Sequence, residues 1–279
     1  MNKNNITQLN QGLSTAFIDK NISSNLAYKP QFVSNNYKEG RKVISSIEDE
    51  LLSCEEFAIS VAFITMGGIT PLLQTLRELE HRGVKGKFLT TDYLTFSEPK
   101  ALRLLAEFSN IELKMFVAEN AKEGFHTKGY IFKKDEMYRI IVGSSNMTSK
   151  ALTVNREWNT KLVSTEQGEY TQSILTEFEE LWNSTQSLSY GQFIDAYTDV
   201  YTKNKIIQKQ KEIARKAEVT SLEAYRLQPN SMQVGFINNL CKIYEAGEDK
   251  ALLISATGTG KHMRQLLRCE NLDSNECYS

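Results

Sequence analysis

FHTKGYIFKKDEMYRIIVGSSNMTSKALTVNREWN, residues 125–159, is the stretch whose reading decides the fold. HTKGYIFKK and YRIIVGSS read as two paired strands joined by the turn Asp135-Glu136, and EWNTKLVST reads as a further strand. His126, one of only three histidines, stands two residues before Lys128. On a strand, residues two apart face the same side, so the spacing predicts that both side chains project into one pocket.

Working outward, strand and helix signals alternate. FAISVAF (57–63) reads as a buried strand, and GGITPLLQTLRELEHRG (67–83) as one helix stopped by Gly83, with His81 at its C-terminal end and in no catalytic role. VKGKFLTT (84–91) is a strand. SEPKALRLLAEFSN (97–110) is a helix with Ser97 as N-cap and Pro99 in its first turn. IELKMFV (111–117) is a third strand, and EYTQSILTEFEELWNST (169–185) reads as a closing helix. This succession predicts an α/β sandwich with a mostly parallel or mixed sheet. The expected boundaries are an N-terminal arm at 1–40, the α/β domain at 41–190, a charged helical connector at 191–220 and a second unit from 221.

Composition sets limits on function. The 279 residues carry a net charge of -1, so a nucleic-acid site would have to be a local patch. The start MNKNNITQLN lacks the layout of a signal peptide, and the apolar run FAISVAFITM is too short to span a bilayer. Cys54, Cys241, Cys269 and Cys277 have neither zinc nor disulfide-framework spacing, which predicts a cytoplasmic protein with no membrane partner.

His126-x-Lys128, then Gly143-Ser144-Ser145-Asn146, then Glu157 resembles the motif of the phospholipase D superfamily. By element order the resemblance spans about Arg41 to Leu181. Ser144 stands two before Asn146 and Glu157 eleven after it, the offsets of the superfamily's bacterial nucleases. The resemblance implies a phospholipase D-like α-β-α sandwich with a mixed sheet and a catalytic set of His126, Lys128, Ser144, Asn146 and Glu157. In that set His126 attacks phosphorus to form a phosphohistidine. Lys128 supplies a cation to the non-bridging oxygens, and Ser144 and Asn146 supply neutral donors. Glu157 holds the imidazole in one tautomer. No metal is needed for cleavage, because the cations are side chains. The Asp that the family carries beyond its Lys, after four intervening residues, is here Lys133, with Asp135 two residues late, a departure that favours a nuclease over a lipase. One motif copy implies a homodimer sharing one active site, with the second His126 protonating the leaving oxygen. The bland alternative is a structural strand histidine beside an ordinary turn.

The second unit, LQPNSMQVGFINNL followed by LLISATGTGK, resembles the opening of a superfamily 2 helicase. Pro229 and Gln233 match its adenine-reading Q-type motif, and Gly258, Gly260 and Lys261 its phosphate-cradling Walker A loop. The residue after Lys261 should be Thr or Ser, to hold magnesium, and is His262. Restoring one A in the codons at that point turns His into Thr and allows a helicase-like continuation, so residues 262–279 are expected to be a frameshifted tail after a truncated helicase segment. ATP and magnesium are then expected only for a full-length motor. A nuclease followed by a helicase is similar to SauUSI-type ATP-dependent type IV restriction enzymes. The expected function is thus metal-independent DNA cleavage, as the nuclease part of a restriction or phage-defence enzyme. The alternatives are a phospholipase-type phosphodiesterase and an inactive dimerisation or DNA-binding remnant.

Overall fold

The computed structural model describes residues 3–118, 124–223 and 231–247. The chain divides into two compact units, Met1–Gln208 and Lys209–Ser279. The first unit is built on β1 (Gln31–Val33), β2 (Glu56–Val61), β3 (Lys85–Thr91), β4 (Ile111–Phe116), β5 (Lys128–Lys134), β6 (Met137–Gly143), β7 (Asn159–Thr165) and β8 (Ser187–Ser189). They form one sheet in the order β1-β7-β6-β5-β2-β3-β4-β8. The pairings β2–β3 and β3–β4 are parallel and all others antiparallel, so the sheet is mixed.

Two apolar cores flank the sheet, which makes three layers. Phe57, Ile59 and Val61 of β2 face one core, and Ala62 just beyond the strand faces the other. A strand buried on both faces reads as a continuous apolar run, which is why FAISVAF shows no alternation. The larger core lies under α2 (Val43–Ser53), α4 (Leu73–His81) and α5 (Pro99–Ala106). The smaller lies under α7 (Glu169–Asn183), whose Phe178 and Trp182 rings stack at 5.7 Å.

Four local expectations are corrected. Residues 67–83 form two helices, α3 (Met66–Ile69) and α4, separated by a 3-10 turn at Thr70–Leu72, where Pro71 cannot donate a backbone hydrogen bond. Gly83 ends α4 at φ +71, as its missing Cβ permits. Ser97 is not a cap: its buried hydroxyl accepts from Ile64 N–H at 3.1 Å, and Glu98 stands at the start of α5 without a side-chain cap bond. The N-terminal forty residues are not a separate arm. They hold α1 (Lys3–Phe17), and β1 pairs antiparallel with β7, Gln31 opposite Lys161, so the sheet begins before residue 41. A three-residue strand is too short to show a period, and it was legible only from the edge it covers. The helix α7 does not close the domain, because β8 adds an edge to β4.

The expected connector is helical, within α8 (Tyr190–Glu223), but its Phe193, Ile194 and Tyr197 are buried in the larger core. The second unit contains α9 (Ser231–Glu245). No helix among the described residues is long and apolar enough to cross a membrane.

One ion-pair cluster ties the first helical layer to the sheet. Glu50 of α2, buried, receives Lys161 of β7 at 3.0 Å and Arg139 of β6 at 3.4 Å, both themselves mostly buried. Glu50→Ala would leave two cations without their counter-charge, so it is expected to cost about 3–5 kcal/mol. Urea denaturation measures this, and a loss well under about 1 kcal/mol, the value of an exposed pair, would mean that solvent already screens the cluster.

Candidate functional site

The β5–β6 hairpin forms as its sequence predicts, with Lys134 opposite Met137 across the Asp135-Glu136 turn. Asp135 sits at φ 54, a conformation Asp tolerates better than most residues. The same register brings the start of β5 beside the end of β6, Gly129 opposite Val142. Pairing of β6 with β7 then sets Gly143 opposite Asn159. Three strand ends therefore converge, and they carry Lys128, Ser144 and Glu157. Gly143 is required by this approach: a Cβ there would lie 2.2 Å from the Trp158 carbonyl oxygen.

His126 lies two residues before β5 rather than within it, in extended chain whose Thr127 carbonyl accepts from Ala62 N–H at 3.2 Å. The imidazole is exposed, with Lys128 Nζ 2.7 Å from Nδ1 and 3.2 Å from Nε2. Lys128 Nζ also donates to the His126 carbonyl at 2.8 Å. Whichever ring nitrogen is unprotonated can accept from the ammonium, and the two contacts place Lys128 Nζ against the edge of the ring. Burial lowers the pKa of Lys128, and the nearby Glu157 carboxylate opposes that shift.

Asn146 Oδ1 accepts from Phe63 N–H at 3.2 Å. Its oxygen is thereby used and its NH2 is left as the donor group. Ser144 and Glu157 depart from the roles expected of them. The Ser144 hydroxyl donates to Glu157 Oε2 and accepts from Trp158 N–H at 3.1 Å. Ser144 is thus engaged with Glu157 rather than held as a free donor. Among the described residues no hydrogen bond links Glu157 to His126. The physical reason is the register: Glu157 enters β7 beside the end of β6, so the nearest hydroxyl is that of Ser144. Asp135 does not replace the missing family Asp, since it lies in the turn at the far end of the hairpin, with its N–H on Glu55 at 3.1 Å.

Several residues around the site were not singled out in the sequence. Asn159 accepts from Ser145 N–H at 3.2 Å and donates to Ser145 Oγ at 2.9 Å and to the Val33 carbonyl at 3.1 Å. The fully buried Tyr130 donates to the Ser145 carbonyl at 2.9 Å. Burial first, and then the Glu157 charge, raise the pKa of Tyr130, so it remains a neutral donor. Together they clamp the Ser144–Asn146 loop. The one available signal was the alternation that puts Tyr130 on the face of Lys128. Phe63 and Tyr93 present ring edges to the imidazole at centroid distances of 6.2 and 6.4 Å.

Gln233 falls in α9, but its side chain, and all of Pro229, Gly258, Gly260 and Lys261, lie outside the described residues. The tail at 262–279 lies outside them too. Among the described residues, no three His, Cys, Asp or Glu side chains gather as metal ligands.

Residues 49–182 match the family described as cardiolipin synthase, PLD-like domain. Among solved structures, NucT from Helicobacter pylori is similar at 16% identity, covering 58% of this chain and 99% of that one with a TM-score of 0.46. Nuc from Salmonella typhimurium, a phospholipase D family member, is similar at 20% identity, with 58% and 99% covered and a TM-score of 0.45. Phosphatidylserine synthase from Haemophilus influenzae is similar at 14% identity, with 66% and 46% covered and a TM-score of 0.43. No curated protein matches the chain.

Proposed function

We propose that the domain built on the mixed eight-stranded sheet, within which residues 49–182 match the PLD-like family, is a phosphodiesterase of the phospholipase D superfamily that cleaves DNA through a phosphohistidine. The observation that carries this reading is the grouping at the start of β5 and the loop after β6: an exposed imidazole, the Lys128 ammonium 2.7 Å from its Nδ1, and the Asn146 amide oriented as a donor. A ring nitrogen of His126 attacks phosphorus, the bond to the leaving oxygen breaks, and water then attacks the phosphohistidine to regenerate the imidazole. Lys128 and Asn146 stabilise the charge that builds on the non-bridging oxygens. The Glu157 carboxylate, which accepts from the Ser144 hydroxyl, favours the charged form of Lys128.

The leaving oxygen needs a proton donor, and one motif copy supplies one histidine. The second is therefore assigned to His126 of another copy, in a homodimer sharing one site. The nuclease role within an ATP-driven restriction or phage-defence enzyme is supported by the Q-type and Walker A-like stretches at Gln233 and at Gly258, Gly260 and Lys261.

Plasmid nicking in EDTA, run beside a phosphatidylcholine hydrolysis assay, tests this reading. Nicking that survives the chelator, without lipid turnover, is the expected result. Complete loss of nicking on chelation with the fold intact would remove His126 as nucleophile, and lipid turnover alone would reassign the substrate.

A further inference from the structure

Beyond β3 the chain runs through a tight loop, residues 92–96, that lies beside His126. Tyr93, Leu94 and Phe96 are 45, 55 and 48% exposed. These are large apolar side chains in a domain that buries most of its others. Tyr93 touches the imidazole edge-on, and Phe96 reaches it through Phe63, whose ring lies 5.0 Å from that of Phe96. The four rings Phe96, Phe63, His126 and Tyr93 thus form a continuous train with an exposed aromatic at each end.

The backbone holds these side chains out at a cost. Leu94 has φ 55 and Thr95 φ 50, two consecutive left-handed residues with a Cβ, one of them β-branched. Glycine or asparagine would adopt this turn with less strain. The conformation is over-determined from both flanks. Thr95 N–H donates to the Asp92 carbonyl at 2.9 Å, and Asp92 Oδ1 accepts from Ala118 N–H at 2.8 Å. Tyr93 N–H donates to Thr91 Oγ1 at 3.2 Å, and Asn204 donates to Thr95 Oγ1 at 3.0 Å. Strain maintained this way beside a nucleophile points to a use for the side chains displayed.

We infer that Tyr93 and Phe96 are base-stacking residues that direct the site to unpaired, single-stranded nucleic acid. The inference rests on the phosphodiesterase reading and adds the substrate form. A phosphodiester held at His126 puts the bases of its two flanking nucleotides within one nucleotide's span, where exposed rings await a π-face. An unpaired base offers that face, whereas in a duplex the faces are already stacked on neighbouring base pairs. Aromatic rings serve any base, so this stacking selects for single strands without selecting sequence.

The test uses the full chain carrying His126→Ala, so that binding is read without cleavage. Fluorescence anisotropy compares a single-stranded oligonucleotide, the same strand with abasic sites, and the duplex. Adding Tyr93→Ala or Phe96→Ala is expected to weaken binding of the base-bearing single strand by about 5- to 150-fold for each change, and the two together by more than either alone. Binding of the abasic strand and the duplex should stay within about two-fold, since phosphate contacts dominate there. Tyr93→Phe should restore most of the loss, and Tyr170→Ala, an exposed tyrosine on α7, should change nothing. Equal losses on all three ligands, or none, would overturn the inference. Conversion of a dimer to a monomer by the double change, read by light scattering, would overturn it in favour of a second copy covering the rings. Cleavage by the chain with His126 intact is scored separately, so failure of the nuclease reading is not confused with failure of the stacking reading.

Discussion

His126→Ala is expected to lower phosphodiester cleavage by on the order of 10⁴- to 10⁶-fold, the scale on which removal of a covalent nucleophile acts. The imidazole is exposed and lies in extended chain ahead of β5, so its removal opens no cavity and thermal stability should hardly change. Mixing the variant with an equal amount of wild type then tests the shared site. If each catalytic cycle needs both histidines of a dimer, random exchange should leave roughly half the activity that the same amount of wild type shows alone. Unchanged activity after complete exchange would mean that one histidine suffices. Full activity in isolated monomers would refute the shared site directly.

Lys128→Ala is expected to lower cleavage by about 10²- to 10³-fold, as loss of one preorganised stabiliser of transition-state charge does. The effect should fall on kcat more than on KM, because the charge is greatest in the transition state. The pH dependence follows from the surroundings of the ammonium. Only the protonated form stabilises negative charge, and burial lowers the pKa of Lys128, so activity should fall on the alkaline side before an ordinary lysine would titrate. The Glu157 carboxylate works against that shift. Glu157→Gln removes the opposition, so the alkaline limb should move further toward neutral pH as the rate falls. A pH–rate profile of the variant that overlays the wild type would make Glu157 a solvated charge at a strand entrance, of no consequence to the site.

Apart from the break at Pro71 and the short helix Ser149–Thr153, the expected order of strands and helices from β2 to α7 follows from the sequence, because most elements there carry a signal that neighbours cannot easily override. β2 is an uninterrupted apolar run, α4 ends at Gly83, α5 begins at Pro99, and the β5–β6 hairpin turns on Asp135. The candidate site residues were legible in the same way, as residue types at fixed spacings within one stretch. The sequence also bounds what the chain can span and where a nucleic-acid patch must be local, since those follow from composition alone. Partners across the sheet were decided by the tertiary structure. β1 and β8 are three-residue edges that exist because β7 and β4 offer unpaired backbone, and no period of that length can be read. The Ser97 hydroxyl left the helix cap because a buried backbone N–H at Ile64 needed an acceptor more. Glu157 went to Ser144 rather than His126 because the β6–β7 register sets which groups meet. The Asn159 and Tyr130 clamp and the strained Tyr93–Phe96 loop arise from the same cause. Spacing along a chain states which side chains share a strand face, whereas hydrogen-bond partners between strands are chosen by register and burial, which form only when the sheet closes.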